Sequence, residues 1–203
     1  MRSFSQHNFG IQLKSSHAHE IVAAYMGYSS RAALLADTKC PITNLRQAEF
    51  LVLTPTAPIK ERRKELKELP EDLPDDLGEG VYLPLIEEKW IICNIWPTLG
   101  YLAEVLADER LNSKPYFFSD QKIQRHGVKI ELCEDGVYLK VLREFVSPSR
   151  VLSQQQGIRG VVDIFELKRV AGNIGYIKAN HYSAEADTLD AAVEQMALRG
   201  GSL

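Results

Sequence analysis

The hydrophobic positions near the N-terminus repeat at the spacing of an α-helix, and one glycine divides them into two segments. The apolar residues of the first segment recur three and four positions apart, so they share one face. These residues are Ile21, Ala24, Tyr25 and Tyr28. Gly27 lies where a left-handed C-terminal cap is needed, a conformation that glycine adopts readily. The pattern predicts two short helices that must pack against the rest of the chain or a partner, because such helices are unstable alone.

Polar residues at the starts of both segments support this prediction. Ser15 or Ser16 is expected to cap the first helix, and Glu20 is expected in its first turn, where the helix dipole favours an anion. Ser29 or Ser30 is expected to cap the second helix, whose apolar residues follow directly.

Beyond this helical pair, the pattern changes several times between strand and helix. Strands are predicted at residues 47–54, 90–96, 128–132, 137–141 and 161–167, and helices at residues 58–69, 97–111 and 188–198. The clearest alternation surrounds Glu134-Asp135-Gly136, which predicts a β-hairpin with one buried face. The irregular order of elements favours the α+β class, with an N-terminal helical hairpin and a mostly antiparallel sheet flanked by helices.

The predicted domain organisation follows from the same pattern. Residues 1–38 are expected to form a helical hairpin module, and residues 39–203 an α+β domain. Prolines, glycines and acidic residues are concentrated at residues 70–80, which predicts a linker or mobile loop. A second flexible excursion is expected in the polar stretch at residues 147–160.

Composition and charge set broad limits on what the chain can be. Its 203 residues allow one large domain or two small ones with a substantial core. The net charge of −3 gives no overall attraction to nucleic acid or to an anionic membrane. No apolar run reaches the length of a membrane span, and the N-terminus lacks a signal-peptide core. We therefore expect a soluble, cytoplasmic protein without a membrane partner.

The cysteines and histidines give no metal-site pattern. The three cysteines are far apart and lack CxxC spacing, and Cys93 and Cys133 lie in apolar runs that predict burial. His17 and His19 stand two apart in the predicted helix, so their side chains point in nearly opposite directions and cannot hold one ion. The sequence predicts no metal and no cofactor.

Enzyme signatures are also missing from the sequence. There is no phosphate-binding glycine loop and no nucleophile elbow, so no catalytic residue is predicted and a protein that is not an enzyme is favoured. A site that assembles from distant strands remains an alternative. A deep pocket lined by several of Asp163, Glu166, His126 and His181 would support it.

Nucleic-acid binding is a further alternative. The helical pair passes a rough helix-turn-helix test, but Arg31 is the only basic residue that its second helix offers to bases or phosphates. The sequence GNIG at residues 172–175 is similar to a backbone clamp for single strands, and the basic residues near it are Lys168, Arg169 and Lys178. Since its flanks have a strand pattern, a turn between two strands is the simpler interpretation.

Residues 16–37 resemble the short N-terminal helical module of many uncharacterised bacterial proteins from plasmids, phages and integrative elements, some of them labelled glyoxalase-related. The matching residues are Ser16, His17, Ala23, Ala24, Gly27, Tyr28, Ala33 and Leu34. Residues 162–177 are similar to the same group. The resemblance implies a mobile-element context rather than an activity, and the metal ligands of a true glyoxalase are not carried over.

The leading hypothesis is a non-enzymatic component of a mobile genetic element or defence locus that acts through protein–protein contacts. The expected partner is another protein or a second copy of the chain. Tyr25 and Tyr28 are the predicted protein-binding residues, because they share the apolar face and aromatic side chains of this size dominate such contacts. They are expected to anchor the helical pair either to the main domain or to a partner.

Overall fold

The computed structural model describes residues 1–114, 122–150 and 157–198. The helices are α1 (Arg2–Phe9), α2 (Ser15–Tyr25), α3 (Arg31–Ala36), α4 (Thr56–Glu65), α5 (Gly78–Glu87), α6 (Leu99–Asn112) and α7 (Leu189–Leu198), with a 3₁₀ segment at Ile42–Gln47. The strands are β1 (Phe50–Val52), β2 (Asn94–Trp96), β3 (Ile123–Cys133), β4 (Gly136–Arg150), β5 (Gly157–Ala171) and β6 (Gly175–Ala186).

The strands form one mixed sheet, and the α+β class predicted from the sequence is confirmed. The strand order is β2-β1-β6-β5-β4-β3. Strands β1 and β2 are parallel, whereas the pairs β1–β6, β3–β4 and β4–β5 are antiparallel.

The chain divides into two compact units. The first unit contains Met1–Thr98 and Arg169–Ile177, and the second contains Leu99–Lys168 and Lys178–Leu203. The predicted boundary at residue 38 therefore lies inside the first unit. Within this unit, Ile21 of α2 shares one buried cluster with Leu51 of β1 and Ile59 of α4.

The C-terminal end of α2 has the cap that the sequence predicts. Gly27 adopts a left-handed conformation with φ of 82°. The N–H of Tyr28 donates to the carbonyl of Ala23, and the N–H of Gly27 donates to the carbonyl of Ala24, each at 3.0 Å. These two bonds form a Schellman motif, which satisfies two of the carbonyls that a helix end leaves without partners.

The next carbonyl, that of Tyr25, is satisfied by side chains from two distant segments. Thr54 Oγ1 donates to it at 3.1 Å and the Tyr82 hydroxyl donates to it at 2.9 Å. The Tyr25 ring is buried and meets the Tyr82 ring edge to face, with centroids 6.0 Å apart. Its hydroxyl accepts a hydrogen bond from the N–H of Leu77 at 2.7 Å. Tyr25 thus joins α2 to the start of α5.

Asn173, in the turn between β5 and β6, satisfies the last two carbonyls of this helix end. Its backbone N–H donates to the carbonyl of Met26 at 3.2 Å, and its side-chain amide donates to the carbonyl of Gly27 at 2.7 Å. Residues 172–174 form a turn between two strands, as the simpler interpretation of the GNIG sequence predicts. The turn holds the helical pair in place.

The two N-terminal caps differ from each other. Ser30 caps α3 as predicted, since its hydroxyl accepts from the N–H of Ala33 at 3.1 Å. The cap predicted for α2 is wrong, because this helix begins after Lys14 without a side-chain hydrogen bond. Glu20 is consequently beyond its first turn, and accepts hydrogen bonds from the N–H of Arg31 at 2.9 Å and from the Arg62 guanidinium at 2.6 Å.

Several elements of the first unit are shorter than predicted. The strand at residues 47–54 is reduced to β1, because the preceding residues form the 3₁₀ segment. The strand at residues 90–96 is reduced to β2, and Ile92, which lies before it, is 68% exposed. Helix α4 ends at Glu65, four residues before the predicted end at residue 69.

The predicted loop at residues 70–80 ends earlier than expected, because Gly78 begins α5. A Cβ atom on Gly80 would lie 2.4 Å from Phe4 Cδ1, so close packing against α1 explains a glycine inside this helix. The segment before α5 is also anchored: Leu73 and Leu77 are buried, and the Arg63 guanidinium donates to the carbonyl of Leu73 at 2.8 Å. A freely mobile linker is therefore the wrong description.

The second unit contains the predicted hairpin. Most of the other elements predicted for this part of the chain are also present. Cys133 pairs with Gly136 across a two-residue turn, which joins β3 to β4. Helix α6 packs on both strands of this hairpin, and its residues Leu102 and Leu106 are buried. Helix α7 covers a separate apolar cluster that includes Ile164.

Two other sequence predictions fall partly on undescribed residues. The excursion predicted at residues 147–160 is largely replaced by strand, since β4 continues to Arg150 and β5 begins at Gly157. Residues 151–156 lie outside the described residues, as do Gly200 and Gly201, which follow α7 in the sequence. Among the described helices, none has the length and apolar content needed to cross a membrane.

We expect Gly27→Ala to destabilise the protein more than Gly10→Ala. Gly27 and Gly10 have positive φ angles of 82° and 71°. Because alanine is strained in that conformation, each substitution should lower the free energy of unfolding by about 1 kcal/mol or more. At Gly10 an added Cβ meets nothing within 4 Å, whereas at Gly27 it would lie 2.6 Å from Asn173 Cβ. The difference in the free energy of unfolding between the two variants, measured in urea, gives the effect of the clash with Asn173. Equal losses of stability would show that the turn does not hold the helix end.

Candidate interaction surface and buried clusters

Strand β3 is an edge of the sheet, and no strand in the described part of the chain pairs with its outer side. On one face of the hairpin Ile130 lies opposite Leu139, and Leu132 lies opposite Val137. Leu139 and Val137 are fully buried, but Ile130 is 42% exposed and Leu132 is 75% exposed. We call Val128, Ile130 and Leu132 the β3 stripe. The predicted burial of one face therefore holds for β4 and is wrong for β3.

The other face of β3 carries alternating charges. Lys129 lies opposite Lys140, and Glu131 lies opposite Tyr138. Lys140 is buried, and its ammonium donates to Glu131 Oε2 at 2.6 Å. This hydrogen bond lowers the pKa of Glu131 and keeps the carboxylate charged. Cys133, at the end of the strand, is exposed, so its predicted burial is wrong, and Cys93 is half-buried.

Both tyrosines that were predicted to bind protein make contacts within the first unit. Tyr25 is only 6% exposed. Tyr28 is half-buried against the core, and its hydroxyl donates to Asp37 Oδ2 at 2.5 Å. The sequence left two anchoring roles open, and these contacts are those of anchors to the main domain.

The residues predicted for nucleic-acid binding lie in different environments. Arg31 is exposed in the first unit, and Lys168 and Lys178 are exposed in the second. Arg169 follows Lys168 in β5, so the two side chains point to opposite faces of the strand. The Arg169 guanidinium donates to Asp37 Oδ2 at 2.8 Å and to Asn173 Oδ1 at 2.5 Å, so part of its charge is already paired.

Asp37 is the centre of this polar cluster. Its carboxylate accepts from the Tyr28 hydroxyl, from the N–H of Cys40 at 3.0 Å and from the Arg169 guanidinium. The hydrogen bond from Tyr28, with the smaller effects of Cys40 and Arg169, lowers the pKa of Asp37 below its ordinary value of 3.8. Burial and the neighbouring carboxylate raise the pKa of Tyr28. The cluster is a structural lock between α3 and the GNIG turn.

Two of the four residues proposed for an assembled enzyme site do come together. His181 Nε2 lies 2.9 Å from Asp163 Oδ1, and the His181 ring stacks on Phe165 at 4.5 Å. Glu166 points to the opposite face of β5, where Asn180 donates to it at 2.6 Å.

Arg110 of α6 completes the polar cluster around Asp163, and the sequence interpretation did not identify it. Its Nε lies 3.2 Å from Asp163 Oδ1, and its Nη2 pairs with Glu185 and donates to Ser183 at 2.7 Å. Asp163 is 1% exposed. An arginine inside a helix is ordinarily a surface residue, so the sequence contains only a weak indication that Arg110 is buried.

A second buried arginine ties the hairpin to α6. Arg143 of β4 donates to Asp108 Oδ1 at 2.6 Å and to Glu104 Oε2 at 2.7 Å. Glu104 also pairs with His126, the fourth residue proposed for the enzyme site. His126 is therefore held away from Asp163 by a different carboxylate. In both clusters the charges are paired, as buried charges must be.

The first unit contains a cleft of about 500 Å³ beside α5. Tyr25 and Tyr82 form its apolar wall, and Asp75, Asp76 and Lys60 lie at its border. Lys60 pairs with Asp75 at 3.3 Å, and Asp76 accepts from the N–H of Gly78 at 2.9 Å. The Tyr25 hydroxyl also lies 3.4 Å from Asp76 Oδ1, so these polar groups have partners within the chain.

Metal binding finds no support in the part of the chain that the structure describes. None of its histidine, cysteine and carboxylate side chains form a group of three that could hold an ion. His17 is buried and His19 is exposed, in agreement with the helical argument that they cannot converge. Comparisons with protein families, with curated proteins and with solved structures found no match to this chain.

We expect Asp37→Asn to remove part of the acid sensitivity of the fold. A carboxylate with a lowered pKa in the folded state contributes stability above its ordinary pKa, and this contribution is lost as the pH falls through the folded-state value. The free energy of unfolding of the variant should be lower by about 1 kcal/mol or more at pH 7, and it should change less with pH below about pH 4. Urea unfolding between pH 2 and 7 measures this, with Asp75→Asn at an exposed carboxylate as control.

We expect Asp163→Ala to destabilise the second unit by about 3 kcal/mol or more, because it removes one of the two carboxylates that pair with buried Arg110, the one that is itself fully buried. The matched control is Asp190→Ala, whose side chain is 84% exposed and which should change stability by less than about 0.5 kcal/mol. Thermal unfolding compares them. Similar small losses for both would mean that the Arg110 cluster is dispensable.

Proposed function

We propose that this chain is a non-enzymatic protein-interaction component whose contact surface is the exposed β3 stripe. The observation that carries the proposal is the pairing of two exposed side chains, Ile130 and Leu132, with fully buried neighbours on the same hairpin face. Exposed apolar positions that continue a core outward are typical of interfaces rather than of solvated surface.

The backbone of β3 supports the same proposal. An edge strand has N–H and C=O groups on its outer side that can pair with a strand from another chain. In that mode the main chain gives affinity and alternate side chains give specificity. The pairing segment is regular, because the one register shift in the β3–β4 ladder lies at its beginning, between Ile123 and Arg125.

The proposed biological setting is a plasmid, phage or integrative element or a defence locus, and the resemblance of residues 16–37 and 162–177 supports it. A cytoplasmic location is part of the same proposal. The partner would be a second copy or the product of a neighbouring gene.

We expect the double variant Ile130→Thr/Leu132→Thr to fold and to lose association. Threonine keeps the strand preference but removes most of the apolar surface, so binding should weaken by at least about tenfold. Light scattering, and co-purification with the products of neighbouring genes, measure this. Ile92→Thr, at a position that is 68% exposed in the first unit, is the control and should associate normally.

The proposal fails if the native protein is monomeric and binds none of those products; turnover of a compound in a substrate panel would then support an enzyme instead. A double variant that associates as well as the native protein would move the contact surface away from β3.

A further inference from the structure

We propose that the occupant of the β3 edge is β3 of a second copy of this chain, paired antiparallel about a two-fold axis through Ile130. This inference rests on the proposed function and names its partner. It is carried by the charge pattern of the strand and by the direction of its backbone groups.

The backbone direction follows from the hairpin turn. Cys133 and Gly136 flank a two-residue turn and so form a hydrogen-bonded pair, in which both residues direct N–H and C=O toward each other. Along β3 this direction alternates. The groups of Val128, Ile130 and Leu132 therefore point to the outer side of the sheet, where no strand of the described residues pairs with them.

The charge pattern selects the register. With Ile130 opposite Ile130 of the second copy, Lys129 of each copy lies opposite Glu131 of the other, which gives two opposite-charge pairs. On the other face Val128 lies opposite Leu132, so the β3 stripes of both copies become continuous. Glu131 keeps its bond to Lys140 and adds a second cation from the partner.

The neighbouring registers that also match the backbone direction are worse. A two-fold axis at Lys129 places two ammonium groups directly opposite each other, and an axis at Glu131 does the same with two carboxylates. An axis at Val128 puts His126 against Ile130 and leaves Lys129 opposite Gly127. Lysine on an edge strand ordinarily prevents pairing, but here the same strand carries the matching anion two residues later.

Gly127 gives a direct test of this register. In the proposed dimer Gly127 lies opposite Cys133 of the other copy, as a pair without hydrogen bonds and with Cα atoms about 4.5 Å apart, which suits a disulfide. An added Cβ at Gly127 meets nothing within 4 Å, so Gly127→Cys should fold. Mild oxidation should give a species of twice the chain mass, and peptide mapping should join residue 127 to residue 133.

Two controls make the result specific. Gly127→Cys/Cys133→Ser should give no cross-link, because the native thiol that it needs is removed. Lys129→Cys should not cross-link either, since it lies opposite Glu131; a bond from it to Cys133 would show a slipped register and overturn the proposal.

A charge test covers the protein without a disulfide. Lys129→Glu places carboxylates opposite carboxylates and should weaken the dimer at least tenfold in sedimentation equilibrium. Lys122→Glu makes the same charge change outside the pairing segment and should leave the dimer unchanged. Equal effects of the two variants would overturn the register.

The outcomes separate the two proposals. If the chain is monomeric and does not cross-link, yet binds a neighbouring gene product through Ile130 and Leu132, the second copy is ruled out and the interaction function stands. If neither the second copy nor any such product binds, both proposals fail.

Discussion

The carbonyl groups at the C-terminal end of α2 impose the constraint on which the first unit depends. A helix leaves its last four carbonyls without partners, and burial makes each unmet group unfavourable by about 1–3 kcal/mol. Here Gly27 and Tyr28 satisfy two of them locally, and Thr54, Tyr82 and Asn173 satisfy the carbonyls that follow. Segments from three parts of the chain are therefore fixed by one helix end.

The second unit is organised by buried charge. Arg110 belongs to α6 and Arg143 to β4, and each is paired with two carboxylates. Taking these groups out of water is unfavourable unless the pairing geometry is good, and removing one partner leaves a buried charge uncompensated. The pairs join α6 to β4, β5 and β6.

Local chemistry was sufficient to predict some of these elements from the sequence. The left-handed cap at Gly27, the Ser30 cap and the two-residue turn after Cys133 each depend on neighbours within a few positions. Helix α5 was missed because glycine has low helix propensity, whereas Gly80 is required by the approach of Phe4.

The candidate site was harder to predict, because it depends on the position of a strand in the sheet. The alternation around Val128 and Ile130 is the same for an edge strand and an inner strand, so it could not reveal which face stays exposed. The charge pairs of Arg110 could not be assigned from the sequence either, since their partners lie on β5 and β6, far from α6 along the chain. The Tyr25 and Tyr28 face was recognised, but only tertiary structure places its contacts inside the chain.

The split of the first unit between Met1–Thr98 and Arg169–Ile177 has a consequence for synthesis. A ribosome adds about 5–20 residues per second, so several seconds pass between the emergence of Gly27 and that of Asn173. During that interval water must occupy the carbonyls that Asn173 later takes. The nascent first unit thus waits, incompletely folded, while residues 99–168 are translated, and its completion is timed by the arrival of a short turn near the end of the chain.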